Sequence, residues 1–195
     1  RILSATELKQ LYALGQTKFA TSPATSLTSG LVGYWTFDGT HTNWATGTTL
    51  DRSGQGNTGR FRNMSTSTDP AIGKIGQGFS FRGDNDIASS QSIALSDSVP
   101  NGFSVFTWLK TSKSAGANGV YVYEMGGSGA IYMGTDGPAA TPTYCVIRDT
   151  VNGNFVTPGS NINLDGKWHH FGCVLDRTTN ILTMYVDSAS TTSLY

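Results

Sequence analysis

Charge is scarce in this chain, with 13% of its 195 residues charged and the 13 acidic side chains matched by 13 basic ones. Without a basic excess there is no field to draw in a nucleic acid backbone or an anionic membrane, so neither is expected as a partner. Long apolar runs are missing too, and nothing approaches the roughly eighteen consecutive apolar residues that read as a helical membrane span. Glutamate occurs only as Glu7 and Glu124, and cysteine only as Cys145 and Cys173. Two cysteines are too few for a disulfide scaffold, and these lack the spacing of a metal knuckle or a redox pair. Both lie in apolar runs, where a free buried thiol behaves as a small hydrophobe. The alternative is a single bridge between neighbouring strands, as forms in an oxidising compartment. No Met and no charged-then-apolar leader stands before Arg1, which reads as a processed or partial chain.

What is abundant is glycine, 24 residues of it, among many Ser, Thr and Asn. Hydroxyls and amides keep such a surface soluble without a strong field. The length suits one sizeable domain with an appendage.

The appendage comes first. Ser4-Ala5-Thr6-Glu7 has the capping-box pattern, in which the serine hydroxyl accepts from the glutamate N–H and the carboxylate reaches back. Leu8, Leu11 and Tyr12 follow at i, i+3 and i+4, and Gly15 supplies a stop. Residues 1–15 are therefore expected to form one short helix that must dock to be stable. Residues 16–30, with Pro23 amid Ser, Thr and Ala, read as a linker.

From Leu31 onward the periodicity changes. Leu31 to Phe37 is strand-like, and short apolar or alternating runs recur at Gly78 to Phe81, Phe103 to Leu109, Val120 to Tyr123, Ala130 to Met133, Tyr144 to Ile147, His169 to Leu175 and Ile181 to Val186. The separators are rich in Gly, Asn and Asp, which accept positive φ or close Asx turns. Many short strands at this spacing predict an all-β, antiparallel two-sheet jelly-roll sandwich. Phe103 to Leu109 is largely apolar on both faces, which predicts a central strand covered on both sides.

Several motifs carry a family resemblance: Gly33-Tyr34-Trp35-Thr36-Phe37-Asp38, Asp51-Arg52-Ser53-Gly54-Gln55-Gly56-Asn57-Thr58-Gly59, Gly73 to Asp86, Phe103 to Lys110, Asp165-Gly166-Lys167-Trp168-His169-His170-Phe171 and Tyr185-Val186-Asp187. In this order and spacing they resemble the laminin-G-like, concanavalin A-like jelly-roll family over residues 31–187, with residues 31–195 forming the domain. The resemblance implies a secreted or surface module that binds glycans or proteins, often attached to enzymes or adhesins and often holding a calcium ion. The family's jelly roll continues past the Tyr-Val-Asp strand with further strands, including a closing one, which are expected to be missing here. Conversely, Leu3 to Tyr12 resembles the helix that follows such a closing strand, so the chain reads as the tail of one unit joined to most of the next. Neighbouring domains or subunits of the same polymer are then expected partners.

Candidate chemistry narrows quickly. Retaining glycoside hydrolysis needs two carboxyl groups about 5 Å apart, usually on one strand face, and neither Glu7 nor Glu124 has an acidic partner at such spacing. No G-x-S-x-G elbow is present. His169 and His170 are adjacent on an expected strand, so they point to opposite faces and cannot jointly hold one metal. Catalysis is therefore not expected. For calcium, a hard cation that takes oxygen ligands, the resemblance carries over Asp38 and Asn57 most directly, with Asp51 as the third candidate. The competing reading is that Asp38 starts a tight turn and that Asp51 and Ser53 make Asx and Ser turns. Trp35, Trp108 and Trp168 fall in apolar strand patterns and read as core. Trp44, in the loop Thr40-His41-Thr42-Asn43-Trp44, is the one tryptophan that no strand explains and the candidate for ligand binding. Its alternative role is a loop anchor tucked onto the sheet.

Overall fold

A computed structural model of the chain describes residues 2–16, 27, 29–82, 87–90, 101–111, 121–125, 130–135, 143–148, 155–156, 159–160 and 165–194. They divide into two compact units, residues 17–94 and residues 1–16 with 95–195. No described helix is long and apolar enough to cross a membrane.

In the unit of residues 17–94, β1 (Thr42–Asn43), β2 (Thr48–Thr49), β3 (Gly59–Arg62) and, after β4 and β5, β6 (Ile87–Ser90) form an antiparallel sheet in the order β1-β2-β3-β6. The strands β4 (Pro70–Ile72) and β5 (Gln77–Phe79) make a separate hairpin. Strand β3 alternates as a half-buried strand must, with Gly59 and Phe61 inside and Arg60 and Arg62 outside. Phe61 anchors an aromatic cluster with Trp44 and Phe79, which continues from Phe79 to Phe37 and Phe81. Such ring pairs add about 0.5–1.5 kcal/mol each beyond their area burial. In the same unit, the fully buried Asp69 pairs with Arg82 at 3.1 Å and accepts from the Thr68 hydroxyl.

The expected first strand, Leu31 to Phe37, is not a ladder strand. The segment is outside any sheet, and its polar groups are met elsewhere: Tyr34 N–H donates to the Asp51 carboxylate, Asn57 Nδ2 donates to Val32 O, and Arg52 N–H donates to Tyr34 O. It ends at Phe37, whose positive φ of 55° reverses the chain into a single 3-10 turn at Gly39–His41. Packing of the Phe37 ring against Phe79, 4.7 Å between centroids, offsets that unfavourable conformation.

The other unit contains two antiparallel sheets. One is formed by β7 (Gly102–Lys110) with β13 (Trp168–Asp176), β14 (Ile181–Val186) and β15 (Ala189–Leu194), in the order β15-β14-β13-β7. Between β7 and β13 in sequence come β8 (Tyr121–Met125), β9 (Ala130–Thr135), β10 (Thr143–Arg148), β11 (Phe155–Val156) and β12 (Gly159–Ser160), which form the second sheet around β10. On β14 interior positions read off with period two, Leu182, Met184 and Val186 being buried, whereas β13 is buried without a break from His170 to Leu175. Cys173 is bridged to Cys145 on β10, Cα to Cα 6.3 Å, so one disulfide joins the two sheets. The free-thiol expectation is thereby replaced by its alternative, for a reason periodicity does not supply: the two residues face each other across the layers.

One further expectation changes. Strand β7 lies at the end of its sheet among the described residues, not in the centre. Its second apolar face is covered by the helix α1 (Ala5–Gln16). One more strand, β15, follows the Tyr185-Val186-Asp187 turn and pairs with β14. Its Ser/Thr-rich sequence has no apolar alternation to announce it.

The helix α1 starts as read, with Ser4 N–H and Oγ donating to Glu7 Oε2 at 2.9 Å and Glu7 N–H donating to Ser4 Oγ. It docks on the outer face of β7 and β13. Leu8 is buried, Leu3 N–H donates to Ser104 Oγ, and the Tyr12 ring stacks on Trp108 at 6.0 Å and leans on His170. Gly172 is required here, since any Cβ would strike the Phe106 ring that crosses β13 to stack on His170.

Candidate functional site

The residues singled out for a metal, Asp38, Asp51 and Asn57, occupy two different hydrogen-bonded turns of the 17–94 unit. Asp51 is the hub of the first. Its Oδ1 accepts from Tyr34 N–H at 2.9 Å and Ser53 N–H at 2.8 Å, and its Oδ2 accepts from Ser53 Oγ at 2.7 Å and Asn57 N–H at 2.9 Å. Positive φ at Gly54 and Gly56 closes the loop tightly enough to bring Asn57 back to the same carboxylate. Asn57 then extends the lock, its Nδ2 donating to Val32 O and its own carbonyl accepting from Trp35 Nε1 at 2.8 Å. Burial is the largest single influence on the Asp51 carboxyl and pushes its pKa up, yet the bonds from Ser53, Tyr34 and Asn57 together outweigh it and hold the group below the usual range.

Asp38 serves a second turn. It caps the 3-10 turn, with Oδ1 accepting from Thr40 N–H and Thr40 Oγ1, both at 3.1 Å. Its Oδ2 accepts from Gln77 N–H, while Gln77 Oε1 accepts from Gly39 N–H at 2.8 Å. This reciprocal clamp fastens the turn to β5. The Thr40 N–H bond, with those from Gln77 and the Thr40 hydroxyl, depresses the Asp38 carboxyl below its ordinary value.

A calcium ion takes six to eight oxygen ligands. A carboxylate has about four lone-pair sites, and all of those on Asp51 are occupied by donors. Asp38 and Asp51 share no hydrogen-bond partner, and among the described residues no group of three or more His, Cys, Asp or Glu is arranged to hold a metal. In this structure the turn-forming alternative accounts for the bonds of Asp38, Asp51 and Asn57. The expected result is a thermal midpoint for the 17–94 unit that is the same in millimolar calcium and in excess chelator. A rise of several degrees with calcium would restore the ion.

Trp44, the candidate ligand residue, is half-buried. Its ring sits 4.8 Å from Phe61 and 5.3 Å from Phe79, in edge and tilted contacts. The loop-anchor role describes this placement, because the indole completes the aromatic cluster over β3 and β5.

A second concentration of chemistry lies in the other unit, at the start of β13. The alternation of the strand sends His169 and His170 to opposite faces. His170 is buried beneath Tyr12, Phe106 and Trp108. Desolvation lowers its pKa to about 4, against the opposing pull of Asp187, so it is neutral at pH 7. His169 lies between two carboxylates, with Nδ1 2.9 Å from Asp187 Oδ2 and Nε2 3.1 Å from Asp165 Oδ1. Asp187 also accepts from His170 N–H, and its own N–H donates to His170 O. Asp165 is paired with Lys167 at 2.6 Å, the main cause of a carboxyl pKa far below the usual range. Sequence reading placed the two imidazoles but not these acids. The signal was present, since Asp165 opens the motif that contains the histidines and Asp187 closes the Tyr185-Val186-Asp187 motif.

Residues 81–194, more than half of the chain, match the model of a laminin G-type family described as the Concanavalin A-like lectin/glucanases superfamily. No curated protein and no solved structure matches the chain. With its antiparallel sheets and the motifs of β7, β13 and β14 lying inside the matched span, the chain belongs to the concanavalin A-like lectin/glucanases superfamily, as a laminin G-type member.

Proposed function

We propose that this chain is a non-catalytic, extracellular module that binds a carbohydrate or another surface ligand. The observation that carries the non-catalytic part is the distribution of carboxylates. The described strands contain only Glu124, on β8, and Asp176, at the end of β13, and these belong to different sheets. Asp176 is engaged by the turn that follows, accepting from Thr178 N–H, Thr178 Oγ1 and Thr179 N–H. Glu7, the other glutamate, caps α1. No pair at the roughly 5 Å separation of a retaining glycosidase is built from such a set. Family membership supports ligand binding, and the Cys145–Cys173 bridge supports an oxidising, extracellular setting.

One observation favours a second reading, a structural subunit of a surface polymer. Strand β15 is an uncharged edge strand that pairs only with β14 among the described residues, and an open edge accepts a strand from another copy. A pull-down on insoluble polysaccharides, with reducing ends assayed in the same tubes, tests both. Binding without release of reducing ends is the expected result. Steady hydrolysis would overturn the non-catalytic part, and absence of binding with concentration-dependent assembly would favour the polymer subunit.

A further inference from the structure

The arrangement around His169 imposes a protonation state. A neutral imidazole has one N–H and one bare nitrogen, and here both nitrogens face carboxylate oxygens, at 2.9 and 3.1 Å. A bare nitrogen opposite a carboxylate places two lone pairs against each other. Only the doubly protonated ring satisfies both contacts. The charged groups facing it are Asp165 and Lys167 from the loop entering β13 and Asp187 from the β14–β15 turn. From β7 the residue in register is the uncharged Leu109, the next residue, Lys110, is exposed, and the neighbouring His170 lies on the opposite face under α1.

We propose that Asp165, His169 and Asp187 form a proton-operated latch: the imidazolium fastens the loop entering β13 to the β14–β15 turn, and loss of one ring proton releases Asp165 while Asp187 stays bound. The asymmetry follows from the other bonds. Asp187 is fixed by His170, whose N–H reaches Asp187 Oδ1 at 3.0 Å, and by its own N–H on His170 O at 2.7 Å. It therefore keeps the remaining Nδ1–H. Asp165 is 45% exposed, so water replaces His169 at its oxygen. Gly166 N–H remains on Thr111 O, which confines the release to the Asp165–Lys167 corner.

The sign is fixed by the direction of the shift. Partial burial lowers the pKa of His169, but the bonds and charges of Asp187 and Asp165 outweigh it and raise the pKa above the ordinary 6.5. The stabilisation is thus complete below pH 6.5 and is lost as the pH rises through the higher folded value.

The test is an NMR titration of the histidine ring nitrogens and backbone amides in the whole chain. The expected result is a His169 midpoint above that of free histidine, with the Asp165, Gly166 and Lys167 amides moving at that same midpoint and a neutral tautomer protonated at Nδ1. An Asp165→Asn variant should lower the midpoint and uncouple the loop amides. A His169 midpoint at or below 6.5, a neutral ring protonated at Nε2, or loop amides indifferent to the His169 titration would each overturn the latch. Because the wild-type titration decides the matter alone, a poorly folded variant does not rescue the proposal.

Discussion

Replacing both cysteines with alanine should cost about 3.5 kcal/mol, the value expected from chain entropy for a closed loop of this length. Cys145 and Cys173 are 28 residues apart in sequence, and each belongs to a different sheet of the same unit. Cutting the bridge frees the loop in the unfolded chain and removes the disulfide between the layers. The melting midpoint of this unit should fall by roughly 14 °C. Both sulfur-bearing residues are almost fully buried, at 0% and 1% exposure. Reductants should therefore act only on unfolded protein, and thiol reagents only once the bridge has been reduced. Two thiols that label in the native state would show that the cysteines are separate and free.

The second large effect is expected at Asp51. Asp51→Ala removes one acceptor group and leaves four donors, Tyr34 N–H, Ser53 N–H, Ser53 Oγ–H and Asn57 N–H, without their partner. Hydrogen bonds to a charged group contribute about 1.5–3 kcal/mol each when well buried. Here the turn is only partly buried, so water recovers much of the loss, and about 2–4 kcal/mol in total is expected from denaturant unfolding of the 17–94 unit. The same residue sets an acid limit. Since the folded-state pKa is depressed below 3.8, the contribution is present above that value and disappears as the pH falls through the lower folded one. A substitution that leaves both the midpoint and the acid limb unchanged would remove Asp51 from the account of this unit.

These two sites show what the sequence makes legible and what it leaves hidden. Period-two alternation gives β14 directly, because a half-buried strand must sort its side chains by face, while β13 is legible as a continuous buried run. The capping box at Ser4 and Glu7 is equally plain, since all its partners lie within one turn. Leu31 to Phe37 has the composition of a strand, yet its backbone partners are the side chains of Asp51 and Asn57, 17 and 25 residues away from the groups they meet. No local pattern separates a ladder from such a tether. Trp44 looks like a free loop aromatic until Phe61 and Phe79 are brought under it by two separate strands.

The same limit governs the candidate metal site. Asp, Asn and glycine-rich turns supply the oxygen atoms of a calcium site and the acceptors of an Asx-turn network in nearly the same sequence. Around Asp51 the folded chain supplies four donors to the carboxylate. The histidine pair is the converse case. Alternation places the rings on opposite faces, while of the acids that bracket His169 only Asp187 depends on the β14–β15 turn folding back beside the start of β13.

A module of this kind is defined by what it retains and leaves unaltered. The most direct measurement is therefore a glycan array probed with the complete chain across a concentration series, with the recovered glycans analysed by mass. The account predicts saturable retention on at least one glycan class, unchanged by chelator, with every recovered glycan intact. Cleaved glycans, or no retention on any class by a folded, disulfide-bonded chain, would contradict it.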